Sequence, residues 1–312
     1  MPEWLYEAGI GEARAALVED GHIVEAAIEP DDAGPLVGTV TSARLIDKAA
    51  ALARVPDGAI VQLTRPAGVT EGATLTVRIT REIIAEPGRA KPARAIPVDE
   101  PSQAGADLRA RLPGDVRLVR AHGPDLLEAA GWSELLEEAR TGDILFPGGA
   151  LRMWPTPAMT LFDVDGAAPL DALAERAATA VGRAIRRHGI GGSIGVDFPT
   201  LSGKAARQTV AATLDAALAW EGAPAFERTA VNGFGFLQLV RPRPRMSIPD
   251  RLRVDPLAAA ARAVLRRLER EPPGEPTAHR VPAPVLARLQ ARPDWLAALA
   301  ARTGVVHRLE PQ

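Results

Sequence analysis

The stretch AMTLFDVDGAAPLDALAERAATAVGRAIRRHGIGGSIGVDFPT, Ala158 to Thr200, decides the fold. An apolar run, Ala158 to Phe162, stops at Asp163-Val164-Asp165-Gly166. From Pro169 to His188 the apolar residues Leu170, Leu173, Ala177, Val181, Ala184 and Ile185 recur at helical spacing. Arg183, Arg186, Arg187 and His188 load the last turn, where the helix dipole favours positive charge, so His188 is not counted as catalytic. A second small and apolar run, Ser193 to Val196, follows Gly189 to Gly192 and ends in Asp197. The pattern reads as strand, helix, strand, and strands joined by a crossover helix must be parallel. Both then finish at one sheet edge, which brings Asp163, Asp165 and Asp197 together where open α/β sheets place their sites. A single Asp after a strand commonly only caps the next helix or makes an Asx-turn. Three converging carboxylates repel one another, and a divalent cation is the usual remedy. Oxygen ligands alone suit a hard ion, Mg²⁺ or Mn²⁺.

The 312 residues, 46% hydrophobic and 24% charged, suffice for two or three compact units and exclude a disordered chain. With no cysteine there is neither a disulfide nor a zinc–thiolate site. The five histidines, His22, His122, His188, His279 and His307, are scattered and show no metal-ligand spacing. A net charge of −2 excludes a uniformly basic nucleic-acid binder, so any such contact needs local patches. Only Lys48, Lys91 and Lys204 are lysines, and the excess of Arg beside Ala, Gly and Pro reads as codon bias. No run approaches the ~18 apolar residues needed to span a bilayer, and MPEWLYEAGIGEAR lacks the layout of a signal peptide. A cytoplasmic protein without a membrane partner is expected.

Around this centre, EARAALVEDGHIVEAAIEP predicts a hairpin turning at Asp20-Gly21. Residues 36–94 hold short strands punctuated at Pro56-Asp57-Gly58, Arg65-Pro66 and Glu71-Gly72, which suggests a small barrel, of OB type by its length. Arg78, Arg81, Arg89, Lys91 and Arg94 gather at its end, either as solvated surface or as a patch that follows phosphates. Residues 95–111 look like a linker, and Asp125 to Arg140 like one amphipathic helix. A helix over Gly203 to Trp220 precedes strands at Phe226 to Val231 and Phe234 to Val240. In RPRPRMSIPDRLR the prolines argue against a helix and leave Arg241, Arg243 and Arg245 fanning from an extended chain. The tail predicts a helix over Asp255 to Arg270 and a turn at Pro272-Pro273-Gly274. A strand near His279 to Val281, helices at Pro284 to Gln290 and Trp295 to Arg302, and a strand at Val305 to Leu309 follow, with no chemistry among them.

The segments LFPGGALRMWPTPAMTLFDVDG, GRAIRRHGIGGSIGVDFPTL and FGFLQLVRPRPRMS resemble, in order and approximate spacing, the catalytic region of the ribonuclease E/G family of bacterial endoribonucleases. The resemblance implies an α/β chain of several parts. Residues 1–35 and 112–152 would be an RNase H-like subdomain, with an OB-type RNA-binding barrel at 36–94 inserted in it. Residues 153–248 would be a deoxyribonuclease-like, metal-dependent nuclease subdomain and 249–312 a small C-terminal αβ domain. It also implies Mg²⁺-dependent hydrolysis of single-stranded RNA to 5′-phosphate and 3′-hydroxyl ends. Asp163 and Asp197 match the family's metal-binding carboxylates, and Asp165 stands where the family has Asn. Lys91 looks like a barrel lysine that reaches RNA, with Arg241, Arg243 and Lys204 as further phosphate contacts. The chain departs from the family in having no room for the domain that senses an RNA 5′ monophosphate and no stacking aromatics in the barrel. It also lacks the Cys pair of the family's zinc-linked dimer, which is thereby excluded. These losses keep open an RNA-binding relative with little or no nuclease activity.

Overall fold

The computed structural model describes residues 2–64, 68–86, 89–167, 169–272 and 278–312. The turns expected at Arg65-Pro66 and Pro272-Pro273-Gly274, and the side chain of Arg89, lie outside the described residues. Strands β1 (Glu3–Ala8), β2 (Glu12–Glu19) and β3 (His22–Pro30) form an antiparallel meander. Its second turn is Asp20-Gly21, with φ of 50° and 79°, the left-handed pair that a two-residue hairpin requires.

The chain then closes a five-strand barrel from β4 (Val40–Asp47), β5 (Leu52–Arg54), β6 (Ile60–Leu63) and β7 (Thr74–Arg81). A side hairpin of β8 (Ile84–Glu86) and β9 (Arg89–Lys91) leads to the fifth barrel strand, β10 (Ala93–Pro97). β10 pairs parallel with β6 and antiparallel with β7, so the barrel extends into the stretch expected as linker. Leu45, Val61, Val77 and Ile79 fill a core separate from those of the neighbouring layers. A short helix, α1 (Leu108–Arg111), and strand β11 (Val116–Leu118) follow. β11 pairs parallel with β1, so the barrel is inserted between two strands of one four-stranded sheet. Helices α2 (Leu126–Ala129) and α3 (Trp132–Thr141) cover that sheet. They replace the single helix expected over Asp125 to Arg140, because Gly131 takes φ +95° and breaks it.

The central unit contains β12 (Asp143–Phe146), β13 (Gly149–Pro155), β14 (Thr160–Gly166), α4 (Leu170–Arg187), β15 (Gly192–Asp197), α5 (Lys204–Ala217), β16 (Glu227–Arg228) and β17 (Phe236–Arg241). Its sheet has the order β12-β13-β14-β15-β17-β16, and only β14 and β15, joined through α4, run parallel. Leu151, Met153, Phe162, Val164, Ile194, Val196, Leu237 and Leu239 turn one face of the sheet into a core shared with α4 and α5.

The last part holds α6 (Ile248–Val254), α7 (Pro256–Glu269), β18 (Ala278–Val281), α8 (Ala283–Gln290), α9 (Pro293–Thr303) and β19 (Arg308–Pro311). Helix α6 corrects the expectation of an extended chain: Pro249 falls in its first turn, where no backbone donor is lost. Among the described residues no helix is long and apolar enough to cross a membrane.

Candidate functional site

Alternation along β14 turns Phe162 and Val164 into the core and leaves Asp163 and Asp165 on the opposite face. The parallel register with β15 sets Phe162 beside Val196, both buried, and Asp163 beside Asp197, both exposed. Neighbouring strands lie about 4.8 Å apart, so the carboxylates of 163 and 197 rise side by side from one open face. One expectation is corrected here. β14 does not stop at Asp163 but pairs with β13 through Gly166, so Asp163 and Asp165 lie within a strand and not beyond its end. The buried Val164 between them, opposite the buried Leu151, is the reason. Gly195, in the row next to Asp197, has no room for a side chain: an added Cβ would sit 2.7 Å from the Phe236 ring.

Arg152 is the cross-strand partner of Asp163, and its Nε lies 3.4 Å from Asp165 Oδ2. Both side chains are well exposed, so this ion pair adds little stability. It does lower the negative charge at that end of the row. Among the described residues Asp163, Asp165 and Asp197 do not close as a trio within 4.8 Å; the one group that does lies elsewhere. Trp154, 61% exposed, stands two residues beyond Arg152 on the same face, with the Arg253 guanidinium over its ring at 4.9 Å. Phe234, 87% exposed, sits in the turn that leads into β17, where Phe236 pairs with Asp197. The Asn232 side chain shapes that turn by accepting from the Phe234 and Phe236 amides at 2.8 and 3.0 Å. The sequence reading overlooked Arg152, Trp154 and Phe234. The signal for the first two was the alternation in Leu151-Arg152-Met153-Trp154, inward then outward.

The expected phosphate contacts divide. Lys204 is exposed in the first turn of α5, seven positions after Asp197. Arg241 is corrected from surface to core: it is 6% exposed, lies 4.9 Å from the Trp220 ring, and donates to the Ile190 carbonyl at 3.5 Å. β17 alternation explains this, since Leu237, Leu239 and Arg241 share the inward face. Burial pushes the Arg241 pKa below its ordinary value, with Glu25 opposing. Arg243 is tied to Asp250, its Nη2 donating at 3.0 Å. Lys91 is paired with Glu86 across the β8–β9 hairpin. On the barrel, Arg44 and Arg54 are cross-strand partners that line a shallow cavity of about 360 Å³ with Leu45, Ile46 and Gly72. The sequence reading had not singled them out. Compared with known proteins, the chain matches no protein-family model and no curated protein.

Proposed function

We propose that this chain is a shortened endoribonuclease of the ribonuclease E/G kind, cutting single-stranded RNA with Mg²⁺ held by Asp163 and Asp197. The observation that carries the reading is the in-register pairing of these two carboxylates on adjacent parallel strands, both of them exposed. The donor set fits: two exposed carboxylates and a third two residues along, all oxygen, suit a hard cation. The chemistry such an ion supplies when bound is polarisation of a phosphoryl oxygen and a lowered pKa for water. The residues do the rest. Asp163 and Asp197 would hold the ion and so set where the phosphate must come, and Arg152 and Lys204 draw in the backbone charge on either side. Trp154 and Phe234 offer flat surfaces for unpaired bases, worth ~1–3 kcal/mol per stacked base. Water oxygen joins phosphorus as the P–O3′ bond breaks and a proton passes to the leaving 3′ oxygen, giving 5′-phosphate and 3′-hydroxyl ends. In this reading the closed barrel is an OB-type RNA platform, with Arg44 and Arg54 as its basic face. The four-stranded sheet is RNase H-like, the six-stranded unit deoxyribonuclease-like, and the protein works in the cytoplasm.

A second reading, an RNA-binding relative that does not cut, is favoured by one observation. Asp165 is engaged by Arg152, and the three carboxylates stand wider apart than a closed ligand set. Incubation of the purified protein with labelled single-stranded RNA and Mg²⁺ decides between them. Cleavage is expected for the parent and not for Asp163→Asn or with EDTA. Equal loss of RNA in all three, or intact RNA bound by all three, defeats the nuclease reading. In this reading the family's 5′-sensing domain has no counterpart here, so 5′-phosphorylated and 5′-hydroxyl RNAs are expected to be cut at the same rate.

A further inference from the structure

Two histidines that lie 28 residues apart in the chain meet in the C-terminal domain. His279, in β18, and His307, just before β19, are brought together by the parallel pairing of these strands, in which His279 stands beside Leu309. His279 Nε2 lies 3.0 Å from His307 Nδ1 and 3.4 Å from Glu271 Oε2, at the end of α7. The three ligand atoms all fall within 4.8 Å of one another. Bonds of about 2.0–2.1 Å to nitrogen and oxygen set the edges of a tetrahedral zinc site at about 3.3 Å, which brackets with the two shorter separations here.

Two further observations turn this from a cluster into a site. Glu271 Oε2 is buried and accepts no hydrogen bond among the described residues, although it faces two imidazole nitrogens. An unpartnered buried carboxylate oxygen is costly, and a cation is the partner its position fits. The outer nitrogen of His307 is also held: Nε2 lies 3.3 Å from Thr303 Oγ1. The Thr303 hydroxyl donates to the Leu299 carbonyl at 2.8 Å, so towards His307 it acts as acceptor. With its proton on Nε2, His307 aims the lone pair of Nδ1 at His279 and Glu271. This is the support that metal-ligating histidines receive from a neighbouring acceptor.

We propose that Glu271, His279 and His307 bind one Zn²⁺-class divalent ion, with the fourth position left to water. Two imidazoles and one carboxylate suit a borderline ion and not Mg²⁺, which separates this site from the one at Asp163. The ion ties the end of α7 to the β18–β19 pair. The proposal does not depend on nuclease activity.

The test uses the full chain, stripped with EDTA and titrated with Co²⁺ and then Zn²⁺. One equivalent of Co²⁺ with the intense visible bands of tetrahedral coordination is expected, displaced by Zn²⁺, together with a raised Tm. Asp163→Asn should keep this binding. His279→Gln and His307→Gln should abolish it, and Thr303→Val should weaken it by about 10–100-fold. Circular dichroism of each variant without metal checks that it is folded; Thr303→Val, which removes no ligand, serves if a histidine variant is not. Absence of tetrahedral Co²⁺ in the parent, or unchanged affinity in folded His279→Gln or Thr303→Val, would overturn the proposal.

Discussion

Gly11 is where a single atom decides the packing between the two ends of the chain. It has φ +77°, and a Cβ built there would lie 2.7 Å from the Trp295 indole. The same residue's carbonyl accepts from Arg262 Nε at 3.1 Å, and Trp295 Nε1 donates to Asp31 at 2.8 Å. Gly11→Ala therefore adds left-handed strain to overpacking, and a loss of about 1–3 kcal/mol is expected. Urea unfolding measures it; an unchanged midpoint would show that Trp295 has room to move. At this scale the sequence was informative where an acidic residue interrupts an apolar run, as at Asp163 and Asp197. For Arg152 and Trp154 the alternation along 151–154 gave their outward face but not their neighbour, since nothing local announced that β13 pairs with β14. Arg241 misled because an arginine among prolines reads as a loop, whereas strand alternation carries it into the core.

At the scale of elements, α6 shows how position decides what a proline does. Ser247 Oγ accepts from the Asp250 amide at 3.3 Å, and Asp250 Oδ2 accepts from the Ser247 amide at 3.0 Å, a reciprocal cap that starts a helix with Pro249 in its first turn. Asp250 Oδ2 also holds Arg243, and from the last turn of the helix Arg253 covers Trp154. Ser247→Ala is expected to cost about 1 kcal/mol and to speed amide hydrogen exchange throughout α6. Exchange confined to the first turn would mean that packing alone holds the rest. Periodicity placed α4, α5, α7, α8 and α9 within a few residues, because each has an apolar face of its own. It failed at α2 and α3, where Gly131 breaks a pattern that remains helical on both sides.

For the whole molecule the decisive feature is a buried charge cluster that joins the first strand to the last helical layer. Glu7 of β1 is met by Arg14 Nη1 at 3.1 Å, Arg266 Nε at 3.1 Å and Arg270 Nη2 at 2.7 Å, and Arg266 also holds Asp125 at 2.7 Å. Burial raises the Glu7 pKa, but Arg14, Arg266 and Arg270 outweigh it and leave it below the ordinary glutamate value. A lowered folded pKa gives stability that is complete above the ordinary value, about 4.3, and is lost as pH falls through the folded one. Acid unfolding should therefore steepen below that range, and Glu7→Gln should flatten the profile. The same variant should cost about 1–3 kcal/mol at neutral pH, because three guanidinium groups lose their shared buried carboxylate but keep Glu12 or Asp125. Equal acid midpoints for parent and variant would exclude Glu7 as the titrating group. None of this was legible beforehand: arginines that read as codon bias find partners some 260 positions away. The inserted barrel has a consequence for the chain as it emerges from the ribosome. β1 acquires its outer neighbour only when Val116 arrives, about a hundred residues after Trp4. Until then an unpaired strand edge of the first sheet stays open while the whole barrel is being made, and a nascent chain in that state is the form most exposed to mispairing with another copy.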